Sequence, residues 1–386
     1  MQRFAIIGGG IAGLTTAIGL SQIGIQADIY EAAVELKGIG AGFGLAANAM
    51  QALSTLGLQE EVLQLGHLLP DYNILDQRGD VLISPDTARL SRQYRQSNFA
   101  IHRADLHQFL LSKIPKTQLH LGKRAIRLKQ NANGSTVTFE DGSSIDAQYF
   151  IIADGVRSSL RQQLDPTSTP RYSGYTCWRG TLDNTHIQLK KGTETWGARG
   201  RFGMTPLANN CIYWYACVNT EANSTVHKNW SIHDLYLHFA AYHASIPEII
   251  RSTQEERLIW NDIIDIKPLK KFAFGSILLI GDAAHATTPN MGQGACQALE
   301  DAAVLVDELK REKNIQTAFL NFEKRRLKRT RYITETSWMI GKVAQWENPF
   351  LVKTRNILMK NLPNRLQQYK LNKLLNVDFM SINNTR

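Results

Sequence analysis

No stretch of this chain approaches the roughly 20 consecutive apolar residues that cross a bilayer, so no membrane span is expected. Cysteine is scarce. The four present, Cys177, Cys211, Cys217 and Cys296, show no metal-ligand pairing, so no metal site is expected and the chain reads as a cytoplasmic protein with free thiols. A secretory leader is not expected either, because the apolar run Phe4-Ala-Ile-Ile7 is short and Gly8-Gly-Gly10 follows at once. Repeats and low-complexity linkers are also missing. With 386 residues, 43% hydrophobic and 20% charged, the chain is long enough for two packed domains, or one α/β domain with an insertion.

Acidic residues thin out toward the C-terminus. From Asn321 to Arg386 there are 14 Lys or Arg against 4 Asp or Glu, enough to account for the whole net charge of +10. A solvated helix face is the plain reading, and contact with an acidic membrane surface or a partner is the alternative. Nucleic acid is not expected, because no recognition motif accompanies the charge.

What is present begins with a buried-strand pattern at Arg3–Ile7, a helix over Ile11–Gln22 and a second strand over Ala27–Glu31, a βαβ unit. Its turn reads Gly8-Gly9-Gly10-Ile11-Ala12-Gly13. In a GxGxxG turn, the position of Gly8 permits the tight bend, that of Gly10 admits a pyrophosphate to the backbone, and that of Gly13 lets helix pack on strand. Ile11 and Ala12 open the helix whose free N–H groups and dipole face the phosphates. Glu31 closes the second strand at the expected spacing and can accept both hydroxyls of an adenosine ribose. Between about Pro170 and Leu269, Trp, Tyr and Thr become dense, as in "YSGYTCWRG" and "CIYWYACV", which predicts an antiparallel sheet. Alternation puts Tyr213 and Tyr215 on one face of it and Trp214 on the other. After Gln293 the pattern is helical to the end, with breaks near Asn348-Pro349 and Pro363.

Two more motifs complete an ordered set: "ADGVRSSLR" from Ala153 to Arg161 and "GDAAHATTPNMGQG" from Gly281 to Gly294. Together with the glycine turn and Glu31 they resemble the class A FAD-dependent monooxygenases of aromatic-hydroxylase type. The C-terminal "FEKRRLKRTRYITETSWMIGKVAQWENP" is similar to that of the subgroup with the urate hydroxylases and zeaxanthin-epoxidase-like enzymes.

The resemblance implies an α/β fold with a Rossmann-like FAD domain over 1–169 and 270–345. A β-rich substrate domain is inserted at 170–269, and a helical extension covers 346–386. It also implies FAD as cofactor and NADH or NADPH as transient reductant. Oxygen then forms a C4a-hydroperoxyflavin that hydroxylates or epoxidises an aromatic or unsaturated small molecule.

Residue by residue, the resemblance sets Arg103 of "HRADL" near FAD, Asp154 in a motif shared by FAD and NAD(P)H, and Asp282 on the ribitol. It sets Pro289 beside the isoalloxazine and the N–H groups of Gly292, Gln293 and Gly294 at its pyrimidine edge. Arg201 and Tyr213 fall at substrate-facing positions, with Trp178, Arg179 and Trp196 as weaker candidates. Arg157 and Arg161 are candidates for NAD(P)H phosphates, Arg124 for the FAD side, and His285 for orienting the loop or touching flavin. Asn290 is neutral where an acid would better suit a purine substrate. The rival readings are a halogenase- or reductase-like enzyme on the same fold and a non-catalytic FAD-binding redox sensor. The Trp-x-Trp-x-x-Ile pattern of a halogenase is not in the sequence.

Overall fold

The computed structural model describes residues 3–36, 42–69, 72–85, 98–131, 134–243 and 245–377. Strand Phe4–Ile7, buried at every position, pairs in parallel with Ala27–Tyr30 on one side and Tyr149–Ile152 on the other. Leu119–His120 and Ile277–Leu279 extend the sheet in parallel, and Ala273–Phe274 closes one edge antiparallel. The unbroken apolar runs Phe4–Ile7, Tyr149–Ile152 and Ile277–Leu279 at its centre fit a sheet covered on both faces. Helix Ile11–Gln22 lies on one face. Gly19 lets helix Gly294–Arg311 come close, since a Cβ there would stand 2.6 Å from Val306 Cγ2.

A second sheet has seven strands in the order Ile259–Ile266, Pro170–Asp183, Cys211–Asn219, Gly200–Leu207, Gly192–Gly197, Tyr72–Asp76 and Val81–Ile83. The last two strands come from outside the expected 170–269 insertion. Tyr72–Asp76 joins in parallel, opposite Gly192–Gly197. One face of this sheet is a core: Trp178, Phe202, Met204 and Trp214 pack on Leu235, Phe239, Ile246 and Ile249 of the covering helices. Trp178 stacks on Trp230 at 5.1 Å, and Trp214 on Phe202 at 5.3 Å. Trp178 is therefore a core residue and not a substrate contact. The expected alternation holds, with Tyr213 and Tyr215 on the opposite face.

Helix Ile315–Ala344 runs back across the molecule. Pro349–Lys360 follows, its first N–H groups capped by Asn348, and then Asn364–Leu375 after Pro363. An unforeseen break separates Arg311 from Ile315, where Asn314 caps the Thr317 N–H at 3.0 Å.

A buried charge network ties these helices to the parallel sheet. Asp301 accepts from the Gly281 N–H, His285 Nε2 and Arg326 Nε, each at 2.7 Å. Its neighbour Glu300 pairs with Arg326 and Arg329 and accepts from Asn48 Nδ2 at 2.6 Å. Burial raises the pKa of both acids, but His285 and Arg326 beside Asp301, and Arg326 and Arg329 beside Glu300, outweigh it and hold both below their ordinary values. Removing one member of such a set strands buried charge, which typically costs about 3–5 kcal/mol. Arg326→Met is thus expected to lower unfolding free energy by about 3 kcal/mol, measured by denaturant titration of the ligand-free protein. A change below about 0.5 kcal/mol would show that the network is not structural.

Candidate functional site

The end of the parallel sheet gathers three loops. Gly8 has φ of 111°, and a Cβ there would lie 2.3 Å from the Ala153 carbonyl oxygen. A Cβ on Gly13 would lie 2.0 Å from the Gly8 oxygen, so helix and turn touch directly. Gly10 is different, with no heavy atom within 4 Å of its would-be Cβ. The loop is thus tight where chain meets chain and open where a phosphate would approach, at the N-terminus formed by Ile11 and Ala12.

The Glu31 carboxylate is held by the Gly9 N–H at 2.6 Å and the Ala33 N–H at 2.8 Å, one on each oxygen. Each oxygen keeps a further lone pair for a sugar hydroxyl. His107 Nε2 donates to the Gly9 oxygen at 2.8 Å and steadies the same loop. No feature of the sequence singled out His107.

Asp154 follows the buried strand Tyr149–Ile152, and its Oδ1 has no partner. Burial pushes its pKa up from 3.8 to about 6. Asp282 begins the short helix Asp282–His285 and is exposed, with Arg103 and Arg161 among the cations that act on it. Arg103 is exposed at the start of helix Arg103–Ser112.

His285 is fully engaged by Asp301, which makes it an orienting residue of the loop. Arg161 is also buried. It donates to the carbonyls of Val156 at 2.8 Å, Ser168 at 3.1 Å and Ala283 at 3.4 Å, so it clamps two motifs together and is not available to NAD(P)H phosphates. Arg157 is exposed. Arg124 forms an exposed pair with Glu140 at 3.5 Å, and nothing links it to this site.

Pro289 opens the turn Pro289–Met291 and is exposed. Gly292 follows in the left-handed region with φ of 61°, and the long helix starts at Gly294. Would-be Cβ atoms on Gly292 and Gly294 meet nothing within 4 Å. Beside them, Gln293 Nε2 and Asn48 Oδ1 are buried polar atoms without partners. Asn290 is fully used: it accepts from Tyr175 Oη at 3.0 Å and donates to Thr288 Oγ1 and the Ser337 oxygen at 2.8 Å each. It pins the Pro289 turn to the second sheet and to helix Ile315–Ala344.

The face of that sheet opposite its core carries Tyr175, Cys177, Arg179, Arg201, Tyr213, Tyr215 and Cys217, as the register requires. Arg201 is 1% exposed. Its Nε donates to Gln345 Oε1 at 2.9 Å and its Nη1 to Glu194 Oε1 at 3.1 Å, while Nη2 has no partner. Burial works against its charge, but Cys217 and Glu194 outweigh it and raise the pKa. Its guanidinium lies 5.2 Å from the Tyr175 ring centre.

Tyr213 packs on Leu69, Ala100 and Leu207, and burial raises its phenol pKa. Arg201 and Tyr213 share the face but do not meet: Tyr215 lies between them. Trp196 is on the same face, against Arg355 at 5.4 Å. Arg179 Nη1 reaches Asn261 Oδ1 at 3.3 Å. Glu194 was not foreseen, although a lone acid within the strand Gly192–Gly197 was the available signal.

An open backbone at Gly10, a carboxylate at Glu31 with lone pairs left for ribose hydroxyls and a second acid before an open helix N-terminus fit a dinucleotide-binding flavoprotein. The residues present fit FAD: Gly10, Gly292 and Gly294 leave open space, and Asp154 Oδ1, Gln293 Nε2 and Asn48 Oδ1 are buried without partners. The chain belongs to the FAD binding domain family, whose model matches residues 2–336. It is 35% identical over 92% of its length to aurachin C monooxygenase/isomerase of Stigmatella aurantiaca, of which 93% is covered. It is 32% identical over 93% of its length to 2-heptyl-3-hydroxy-4(1H)-quinolone synthase of Pseudomonas aeruginosa, of which 94% is covered. The structure of Klebsiella pneumoniae HpxO complexed with FAD and uric acid superposes with a TM-score of 0.90 at 27% identity, covering 97% of this chain and 96% of that one. The protein is an FAD-dependent monooxygenase.

Asp154 yields a pH test. Its folded pKa of about 6 lies above the ordinary 3.8. Between those values the folded state holds a proton that the unfolded state has lost, so stability falls as pH rises through this window. Asp154→Asn removes the cost. The FAD-free variant is expected to be more stable than the parent at pH 7.5 by up to about 3 kcal/mol, with the gain shrinking toward pH 4.5. Unfolding midpoints at the two pH values check this, and an equal gap at both would refute it.

Proposed function

We propose that the enzyme hydroxylates an electrically neutral ring compound bearing a carbonyl, with a 4-quinolone as the best-matched class. The carrying observation is Arg201. An arginine facing a substrate usually invites a carboxylate, but here Glu194 already supplies the negative charge at 3.1 Å. What remains is one unpartnered donor, Nη2. That suits a single acceptor on a neutral molecule. An anionic substrate would bring a second negative charge beside Glu194 in a buried place, where repulsion is weakly screened. Two relatives agree in character, since one is named for a 2-heptyl-3-hydroxy-4(1H)-quinolone and another is a monooxygenase acting in aurachin chemistry. Urate is the weaker reading, because Asn290 is neutral and its amide is spent on Tyr175, Thr288 and Ser337.

Bound FAD, reduced by NADH or NADPH, supplies the oxygen-activating chemistry. The chain does the rest. Glu31 takes the ribose hydroxyls, and the Gly10 turn and the start of helix Ile11–Gln22 take the pyrophosphate. Asp282 takes the ribitol, with Arg103 balancing charge nearby. Asp154 stands beside the same cofactor with a free oxygen. Gln293 and Asn48 present unpartnered polar atoms at the edge where Gly292 and Gly294 leave room for a ring. Pro289 forms a rigid wall there. The 170–269 segment, with the two strands from 72–83, covers the substrate. Tyr213 keeps its proton at working pH and acts as a hydrogen-bonding neutral phenol. The four free thiols fit a reducing cytoplasm.

The test uses Glu194→Gln, which leaves the Arg201 charge uncompensated. The parent is expected to show NAD(P)H oxidation stimulated by a 2-alkyl-4-quinolone, with a product one oxygen heavier, and little response to salicylate. In the variant, the ratio of kcat/KM values should move toward salicylate by about tenfold, with FAD content unchanged. A parent stimulated by salicylate and indifferent to quinolones would overturn the neutral-substrate reading.

A further inference from the structure

Helix Pro349–Lys360 presents an apolar stripe outward. In Pro349–Lys360 the buried position is a charged one: Arg355 is 2% exposed. It donates to the Ala344 oxygen at 3.0 Å and to the Val343 and Trp196 oxygens at 3.3 Å each. By contrast Phe350 is 75%, Ile357 52% and Leu358 66% exposed, with Leu351 beside them. Positions 350, 351, 357 and 358 fall on one stripe of a helix. A helix that needed only to pack on the body would turn this stripe inward and leave arginine in water. Here the opposite face is docked by named hydrogen bonds, so the exposure is not a matter of loose attachment. The next helix, Asn364–Leu375, adds exposed Leu366 and Tyr369.

The surrounding charge has one sign. Lys353, Lys360, Arg365, Lys370 and Lys373 are exposed on the same two helices. Lys360 leans to Asp80 at 3.5 Å and Lys373 stacks over Tyr332 at 4.0 Å. Lys353, Arg365 and Lys370 have no acidic partner among the described residues. From Trp346 to Val377 the sequence contains a single acid, Glu347.

We propose that this face docks on an anionic lipid bilayer, with the Phe350–Leu358 stripe entering the headgroup region and the basic side chains meeting lipid phosphates. An apolar stripe flanked by lysine and arginine, with aromatic residues at its edge, is the pattern of a helix lying in the interface plane. Among the described residues no helix is long and apolar enough to cross a membrane, so the contact is a surface one. A second copy of this chain is the other candidate occupant. A symmetric pairing would set like basic charges against each other, whereas an anionic bilayer neutralises them. The face also adjoins the substrate sheet: Arg355 holds the helix to Trp196, two residues along the strand from Glu194. A lipid-dissolved compound would therefore reach the enzyme on the side where its substrate face lies. The proposal does not depend on the quinolone reading.

The FAD-loaded enzyme is mixed with vesicles of phosphatidylcholine, with or without phosphatidylglycerol, and floated at low and at physiological salt. It should rise with the anionic vesicles only, and more at low salt. Phe350→Ser with Leu358→Ser should reduce the bound fraction at least tenfold while the protein keeps its flavin absorbance. Lys353→Glu with Lys370→Glu should do the same without touching the apolar stripe. Failure to float with anionic vesicles at low salt would overturn the proposal. So would a stable dimer in sedimentation that the Phe350 and Leu358 changes dissolve while flotation is unaltered.

Discussion

Asp301 is the constraint on which the rest of the site depends. One buried carboxylate receives the Gly281 N–H at the end of a core strand, the His285 imidazole four residues on and the Arg326 guanidinium from another helix. Desolvating that charge is costly, and the three donors offset the cost only in one arrangement. The arrangement fixes the first turn of the loop, Gly281 to His285, and with it Asp282. Glu300, next in sequence, extends the constraint through Asn48 to Gln293 at the start of the helix. A loop with two glycines would otherwise sample many shapes.

Helix Ile315–Ala344 carries the same constraint to the other sheet. Arg326 grips the acids near its beginning. Ser337 donates to the Thr288 oxygen at 2.6 Å and accepts Asn290 through its own carbonyl. Just past its end, Gln345 accepts from Arg201 and exchanges hydrogen bonds with Asn219. The flavin-side loop and the Arg201 guanidinium are thus referred to one rigid element. Tyr175 closes the circuit, under Arg201 and bonded to Asn290. Arg201 and the Pro289 turn are thus held relative to each other by helix geometry, and the sheet's other face is an ordinary aromatic core.

Much of this was legible in the sequence, for reasons that differ by element. The βαβ unit was, because GxGxxG spacing after an apolar strand and a closing acid both report local geometry. The helix breaks at Asn348-Pro349 and Pro363 were, because proline and an Asn cap act within a few residues. The break at Asn314 has a cap but no proline, and was missed. Tyr72–Asp76 was missed as part of the second sheet, since its parallel pairing with Gly192–Gly197 spans more than a hundred residues and leaves no local trace. Aromatic density misled at Trp178, because a core face and a substrate face of one sheet are equally rich in rings, and only register tells them apart. Arg161 misled for a related reason. A basic residue in a nucleotide motif reads as a phosphate ligand, while the four backbone carbonyls that Arg161 bonds are invisible in sequence. Glu194 shows how a pairing changes meaning: Arg201 alone suggests an anion, and Arg201 with Glu194 suggests a neutral acceptor.

The claim that matters most is that this loop is built by the protein before FAD arrives. Amide hydrogen exchange of residues 281–294, followed by mass spectrometry in FAD-free and FAD-loaded protein, tests it directly. If Asp301 sets the loop, the amides of Gly281, Ala284 and His285 are protected in both states, and FAD adds protection only around Gly292–Gly294. Rapid exchange at Gly281 in the FAD-free protein, with protection appearing only when FAD binds, would contradict the account and make the cofactor the builder of its own site.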